Sequence, residues 1–285
     1  MYKTSVITDE ISQDLPFAAR VAREYGLQGL EIRNVDGENV SNISLEKAKE
    51  VLGKMKDAGL VVWSIGSPIG KIDIEKDDYP AHLEKLRHTI EIAQALESEN
   101  IRLFSFYIPK DKKPEDFRQQ VIDRMGEMAR IAEGSGVTLC HENEKGIYGD
   151  NAARCAEILA AVPQLAGIFD PANFIQCGQE TLSAWEMLAP RIRYLHIKDA
   201  TAEGHVVPAG SGIGNLRRIV PEFIKNGGDA ATIEPHLTVF KGLEALEKDQ
   251  KTEIPAFQYE SSDAAFDAAC GAFKEILRES GESVK

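Results

Sequence analysis

Few features of this 285-residue sequence point to a secreted, membrane-bound or nucleic-acid-binding protein. It has four cysteines, Cys140, Cys155, Cys177 and Cys270, and no two of them form a C-x-x-C pair. Their spacing suggests no disulfide framework, and a reducing compartment is expected. No run of 18 apolar residues occurs, so no membrane span is expected. The opening stretch "MYKTSVITDE" lacks the apolar segment of a signal peptide, which makes a cytoplasmic location the expectation. Positive charge is also scarce. There are 33 Lys and Arg against 46 Asp and Glu, a net charge of −13. Such a chain has no general positive field for nucleic acid or an anionic membrane, although a local anion site stays open. Finally, no G-x-G-x-x-G joins the first strand to the first helix. That turn reads "TDEISQDLP", which argues against a dinucleotide fold.

What is present is a recurring phrase. A short β-rich apolar run leads into a polar loop and then into a segment of helical period. The pattern predicts strands at 4–8, 29–33, 60–66, 101–108, 137–142, 166–170, 192–197 and 230–234. Examples of the helical segments are 45–59, 81–99, 115–136 and 264–277, with Gly59 and Gly136 as stops. Alternation of this kind favours a parallel sheet, because parallel neighbours need a crossover. Eight units in this length fit an α/β fold of the (β/α)8 TIM-barrel type, expected as one domain over 1–285. The 43% hydrophobic content is ample for its core. The stretch 232–262 is less regular and reads as an extended final loop.

In such a barrel, chemistry lies at the C-terminal strand ends. Strand 5 ends in His141-Glu142-Asn143-Glu144, strand 6 in Asp170, strand 7 in His196 followed by Lys198-Asp199, and strand 8 in Glu234-Pro235-His236. Taken singly, each acid is an ordinary loop residue or helix cap, and each His an ordinary hydrogen-bonding residue. Together, three acids in one small volume repel and raise one another's pKa values unless a cation is present. One divalent metal held by Glu142, Asp170, His196 and Glu234 resolves that conflict. The oxygen-rich set suits Mn²⁺, Mg²⁺ or Co²⁺, with Zn²⁺ an admissible alternative. With its three carboxylates ionised it sums with the metal to −1, which favours neutral, hydroxyl-rich ligands.

At these residues the sequence resembles the sugar phosphate isomerase/epimerase superfamily, the xylose isomerase-like TIM barrels. The resemblance runs through "GLEIR" (29–33), "HEN" (141–143), "FDPANF" (169–174), "YLHIKD" (194–199), "VPAGSGIGN" (207–215) and "IEPH" (233–236). It is similar to ketose 3-epimerases and inosose dehydratases, whose Glu–Asp–His–Glu metal set matches Glu142, Asp170, His196 and Glu234. The resemblance also implies that Glu142 and Glu234 are the acid/base pair. Two departures from the ketose 3-epimerases argue against a ketohexose substrate. Asn173 stands where they have a substrate-binding His, and Ala202 where they have an Arg. The His-rich multi-zinc pattern of endonuclease IV, a related barrel, is absent.

The expected activity is therefore a metal-dependent sugar isomerase or epimerase. It abstracts a proton beside a carbonyl, with enediolate charge stabilised by the metal as a Lewis acid. The alternatives are a dehydratase or lyase of an inosose or keto-sugar on the same site, and a non-catalytic polyol-binding barrel. The expected partner is a small carbohydrate or polyol, with no nucleic acid and no membrane; a homo-oligomer is compatible. Asn143, Asn173, Lys198, His236 and Trp63 are candidate substrate-binding residues. Lys198 reads equally as an ion-pair partner, His236 as a loop residue and Trp63 as core. His141 should face away from Glu142, and Glu31 is given no catalytic role. The glycines of "PAGSGIGN" read either as a phosphate seat or as a tight turn.

Overall fold

The computed structural model describes residues 3–237, 259 and 261–282. Eight strands form the barrel wall: β1 (Lys3–Ile7), β2 (Gly29–Ile32), β3 (Val61–Ile65), β4 (Asn100–Leu103), β5 (Thr138–Glu142), β6 (Ala166–Phe169), β7 (Ile192–Ile197) and β8 (Ala230–Ile233). They close in the order β1-β8-β7-β6-β5-β4-β3-β2, and every neighbouring pair is parallel. Outside run α1 (Leu15–Glu24), α2 (Leu45–Asp57), α3 (Tyr79–Ala95), α4 (Arg118–Ala132), α5 (Ala152–Ala161), α6 (Thr181–Leu188), α7 (Leu216–Lys225) and α8 (Ser262–Glu279). This is the expected (β/α)8 barrel.

Short polar side chains start the helices. Asp14 accepts from the Phe17 amide at 2.9 Å, Asp78 from Ala81 at 3.0 Å, Asn151 from Arg154 at 3.0 Å and Ser261 from Ala264 at 3.1 Å. Each such cap is worth about 1 kcal/mol.

The barrel is lined in layers, and the layering positions the site. Trp63, Cys140, Ile168, Tyr194 and Ala230, from five different strands, form an apolar cluster of their own. Hydroxyls and amides border it. Ser5 meets Thr232 at 2.8 Å, Ser64 meets Tyr194 at 3.0 Å, and Asn100 donates to the Trp63 carbonyl at 2.9 Å. Side chains alternate along a strand. The residue two places beyond Cys140, Ile168 or Tyr194 therefore also points inward, one layer nearer the C-terminal mouth. Those residues are Glu142, Asp170 and His196.

One strand is shorter than its sequence suggests. The apolar stretch 101–108 predicts a continuous strand, but β4 ends at Leu103. Beyond it the backbone bonds to the loop after β3, with the Phe104 amide donating to the Ile69 carbonyl and the Phe106 amide to that of Gly70. Phe106 takes a positive φ of 68°, which ends regular pairing. A Cβ at Gly70 would lie 1.9 Å from the Phe104 carbonyl oxygen, so only glycine allows this approach. Most of the segment read as an extended final loop, 232–262, lies outside the described residues.

Candidate metal centre

Glu142 closes β5, His196 sits within β7, and Asp170 and Glu234 directly follow β6 and β8. All four are buried, and each offers one ligand atom within 4.8 Å of the others. Two metal–ligand bonds of about 2.0–2.6 Å span about 4–5 Å, so the four atoms can share one ion. His196 Nδ1 lies 3.0 Å from both Glu142 Oε1 and Glu234 Oε2, and 4.0 Å from Asp170 Oδ2.

Asp170 combines two roles that the sequence leaves as alternatives. Its Oδ1 caps the short helix Pro171–Gln176 by accepting from the Asn173 amide at 2.9 Å. Its Oδ2 is buried without a hydrogen bond and faces the cluster. Lys198 Nζ stands 2.8 Å from that oxygen, as an ion contact outside hydrogen-bonding angles, and 3.3 Å from Glu234 Oε2. The oxygen-rich donor set and the orphaned Asp170 oxygen both fit a hard divalent cation.

A second ring of buried charge holds these groups. Glu31 Oε2 sits 3.2 Å from His196 Nε2. A carboxylate there fixes the imidazole so that Nδ1 faces the other ligands. Arg102 reaches Glu142 at 3.3 Å, Glu31 at 3.9 Å and Glu234 at 4.0 Å. Arg33 pairs with Asp9 and Glu10, each at 2.9 Å, and with Glu234 at 3.3 Å. His236 Nε2 lies 3.0 Å from Glu10 and 3.5 Å from Glu234. Six carboxylates in this network (Asp9, Glu10, Glu31, Glu142, Asp170 and Glu234) face three permanent cations (Arg33, Arg102 and Lys198). The deficit is filled by protons or by a metal.

The titration tendencies follow. Burial pushes the Asp170 carboxyl up to about 6, and Glu234 and Glu142 add to the rise against the pull of Lys198. The 2.8 Å ammonium does not reverse this, because Lys198 is shared with Glu234. Burial disfavours the His196 imidazolium, but Glu142 and Glu31 outweigh it and hold its pKa well above the usual range. Burial would raise Glu234, but Lys198, His236 and His196 together keep it well below the ordinary carboxylate value.

The structure brings together every candidate metal-ligating and substrate-binding residue named from the sequence except Trp63. Asn143 and Asp170 are tied backbone to side chain in both directions, at 2.9 and 3.0 Å. Asn173 Nδ2 donates to the Asn143 carbonyl at 3.0 Å and lies 3.5 Å from Glu142 Oε1. Trp63 instead belongs to the apolar layer below the site, with Arg193 4.7 Å and Lys3 5.3 Å from its ring. It therefore packs one layer below the four clustered side chains. His141 faces out of the barrel, as strand alternation requires, and bonds to Ser105 Oγ at 3.0 Å. Sequence reasoning missed Asp9, Glu10, Arg33 and Arg102, and gave Glu31 no role. A usable signal was there: Glu31 and Arg33 are two apart in the stretch 29–33 that reads as one strand, and Arg102 interrupts an apolar strand.

Fold and site together define a parallel α/β barrel with a buried carboxylate–histidine cluster, able to hold a metal ion, at its C-terminal mouth. The family model for the xylose isomerase-like TIM barrel matches residues 19–251, and the chain belongs to that family. The uncharacterized protein YihM of Escherichia coli (strain K12) is 23% identical over 250 residues, covering 85% of this chain and 70% of that protein. The crystal structure of the probable 3-DHS dehydratase AsbF of Bacillus anthracis aligns with a TM-score of 0.71 and 19% identity, over 95% of this chain and 98% of its own. That of the 3-keto-D-glucoside 4-epimerase YcjR of Escherichia coli aligns with a TM-score of 0.71 and 13% identity, over 98% and 100%. At these identities the likeness is one of fold.

Proposed function

We propose that the protein is a metal-dependent isomerase or epimerase of a polyhydroxy carbonyl compound, working by proton abstraction from the carbon beside the carbonyl. The observation that carries this reading is the placement of Glu142 and Glu234. Both are within 3.0 Å of His196 Nδ1, and they come from opposite flanks of the cluster, on β5 and β8. When bound, the divalent ion supplies Lewis-acid stabilisation of charge developing on the carbonyl oxygen. Glu142, Asp170, His196 and Glu234 would hold it. One glutamate accepts the proton and the other returns one from the opposite side. Glu234, kept ionised by its cationic neighbours, is suited to acceptance. Asn143 and Asn173 stand beside Glu142 and Asp170, where a sugar's hydroxyls would need partners.

A second reading, dehydration of a β-hydroxy carbonyl on the same site, is favoured by Lys198. Its ammonium sits between Asp170 and Glu234, where it can hydrogen-bond to a departing hydroxyl and stabilise the negative charge that develops there. The fold relatives carry both names, epimerase and dehydratase.

The test is turnover in D₂O with the Mn²⁺-loaded protein on a panel of keto-sugars and inososes, followed by NMR. Deuterium at the carbon beside the carbonyl, lost in Glu142→Gln or Glu234→Gln, is the expected result. A double-bonded product with loss of water selects the second reading. Turnover with no solvent deuterium and no substrate isotope effect contradicts both.

A further inference from the structure

The glycine-rich loop after β7 holds an anion of its own. Asp199, fully buried, directly follows Lys198, and its carboxylate accepts four backbone amides. Ala200 and Gly214 donate to Oδ1, each at 2.8 Å; Gly210 and Gly212 donate to Oδ2 at 2.8 and 3.1 Å. Two donors on each oxygen match the acceptor capacity of an ionised carboxylate. Converging backbone N–H groups of this kind form the concavity that elsewhere in proteins seats a phosphate. The glycines are required by it. A Cβ at Gly212 would lie 2.2 Å from the Ala200 carbonyl oxygen and 2.4 Å from Asp199 Oδ1, and one at Gly214 would lie 2.5 Å from Asp199 Oδ1.

We propose that Asp199 is a built-in anion that fills the seat formed by this loop, and so acts as a positioning and specificity-determining residue for the neighbouring centre. Two connections carry its effect. Residue 198 points into the cluster while residue 199 points away, so anchoring Asp199 fixes the backbone that aims the Lys198 ammonium at Asp170 and Glu234. On the other side, Gly214 packs against Pro171, which directly follows Asp170; a Cβ there would lie 3.1 Å from the Pro171 Cβ. The seat is thus closed to a substrate's phosphate, and the loop's shape is set from within. This rests on the proposed function only where it speaks of substrate. The anion seat itself is a property of the fold.

The test uses Asp199→Gly and Asp199→Asn in the full chain. Asp199→Gly empties the seat, so formate or inorganic phosphate should raise its melting temperature in a saturable way that the parent protein does not show. The same anions should recover its Mn²⁺ affinity, expected to fall about tenfold, since charge-assisted hydrogen bonds are the strong ones. Asp199→Asn keeps the volume but offers an NH₂ group to N–H donors. It should be destabilised and insensitive to formate. If the glycine variant does not fold, the asparagine variant decides. Asp199→Asn with unchanged melting temperature and Mn²⁺ affinity overturns the proposal. So does a folded Asp199→Gly with no more anion dependence than the parent. If the anion responses appear while no substrate on the panel turns over, the function fails and the seat stands. If substrates turn over but no anion response is seen, the seat fails alone.

Discussion

Replacing Asp170 by Asn should stabilise the metal-free protein while weakening its hold on metal, two effects of opposite sign from one oxygen. Burial and the neighbouring Glu142 and Glu234 raise the Asp170 carboxyl from 3.8 to about 6 in the folded state. A raised folded-state pKa means that the group's contribution is fully favourable below the unfolded value and is lost as pH rises through the folded one. The metal-free protein therefore loses stability at this residue between about pH 4 and pH 6. The shift of about 2 units corresponds to roughly 3 kcal/mol at pH 7 and above. Asn keeps an oxygen to cap the helix at Pro171–Gln176 and carries no charge. The pull of Lys198 is already contained in that net shift, and Asn replaces a protonated carboxyl imperfectly, so about 3 kcal/mol is an upper bound. Urea denaturation of chelator-treated parent and Asp170→Asn at pH 7.5 and pH 4.5 measures it. The variant should gain on the order of 2 kcal/mol at pH 7.5 and distinctly less at pH 4.5. A variant less stable at pH 7.5, or a difference independent of pH, would refute the reasoning and mark Asp170 as chiefly the cap and the Lys198 partner.

Two further outcomes follow from the ring of charge behind the ligands. Glu31→Gln leaves His196 with a neutral acceptor, and Mn²⁺ affinity measured by equilibrium dialysis should fall about 10-fold or more; unchanged affinity would remove Glu31 from the account. Arg102→Met leaves Glu31 and Glu142 short of a counter-charge. The metal-free protein should lose about 3–5 kcal/mol in denaturant titrations, while Mn²⁺ should bind more tightly; weaker metal binding would contradict the charge count.

The barrel and the cluster of Glu142, Asp170, His196 and Glu234 at its mouth were legible in the sequence because both follow from short-range rules. Parallel strands need crossovers, which writes the fold as an alternation. Acidic and imidazole side chains at successive strands' C-terminal ends then recur at the repeat spacing, as Glu142, Asp170, His196 and Glu234 do. Three features were not legible, for different reasons. Trp63 lies late in a strand, and only the closed barrel tells which inward layer it fills. Arg33 directly follows the apolar strand β2 and Arg102 sits inside β4, where composition argues for core; their partners Asp9, Glu10 and Glu142 are distant in sequence. The glycines of "PAGSGIGN" suggested either an external phosphate or a plain turn. The third solution, an internal carboxylate, depends on loop closure onto Asp199.

The central claim is one divalent ion at one point shared by four side chains. Its most direct test is a crystal structure of the Mn²⁺-soaked protein, with an anomalous difference map recorded at the manganese edge. A single strong peak per chain is expected within about 2.6 Å of Glu142, Asp170, His196 Nδ1 and Glu234. A map with no peak at the cluster at saturating Mn²⁺, with Lys198 still in contact with Asp170 and Glu234, would contradict it.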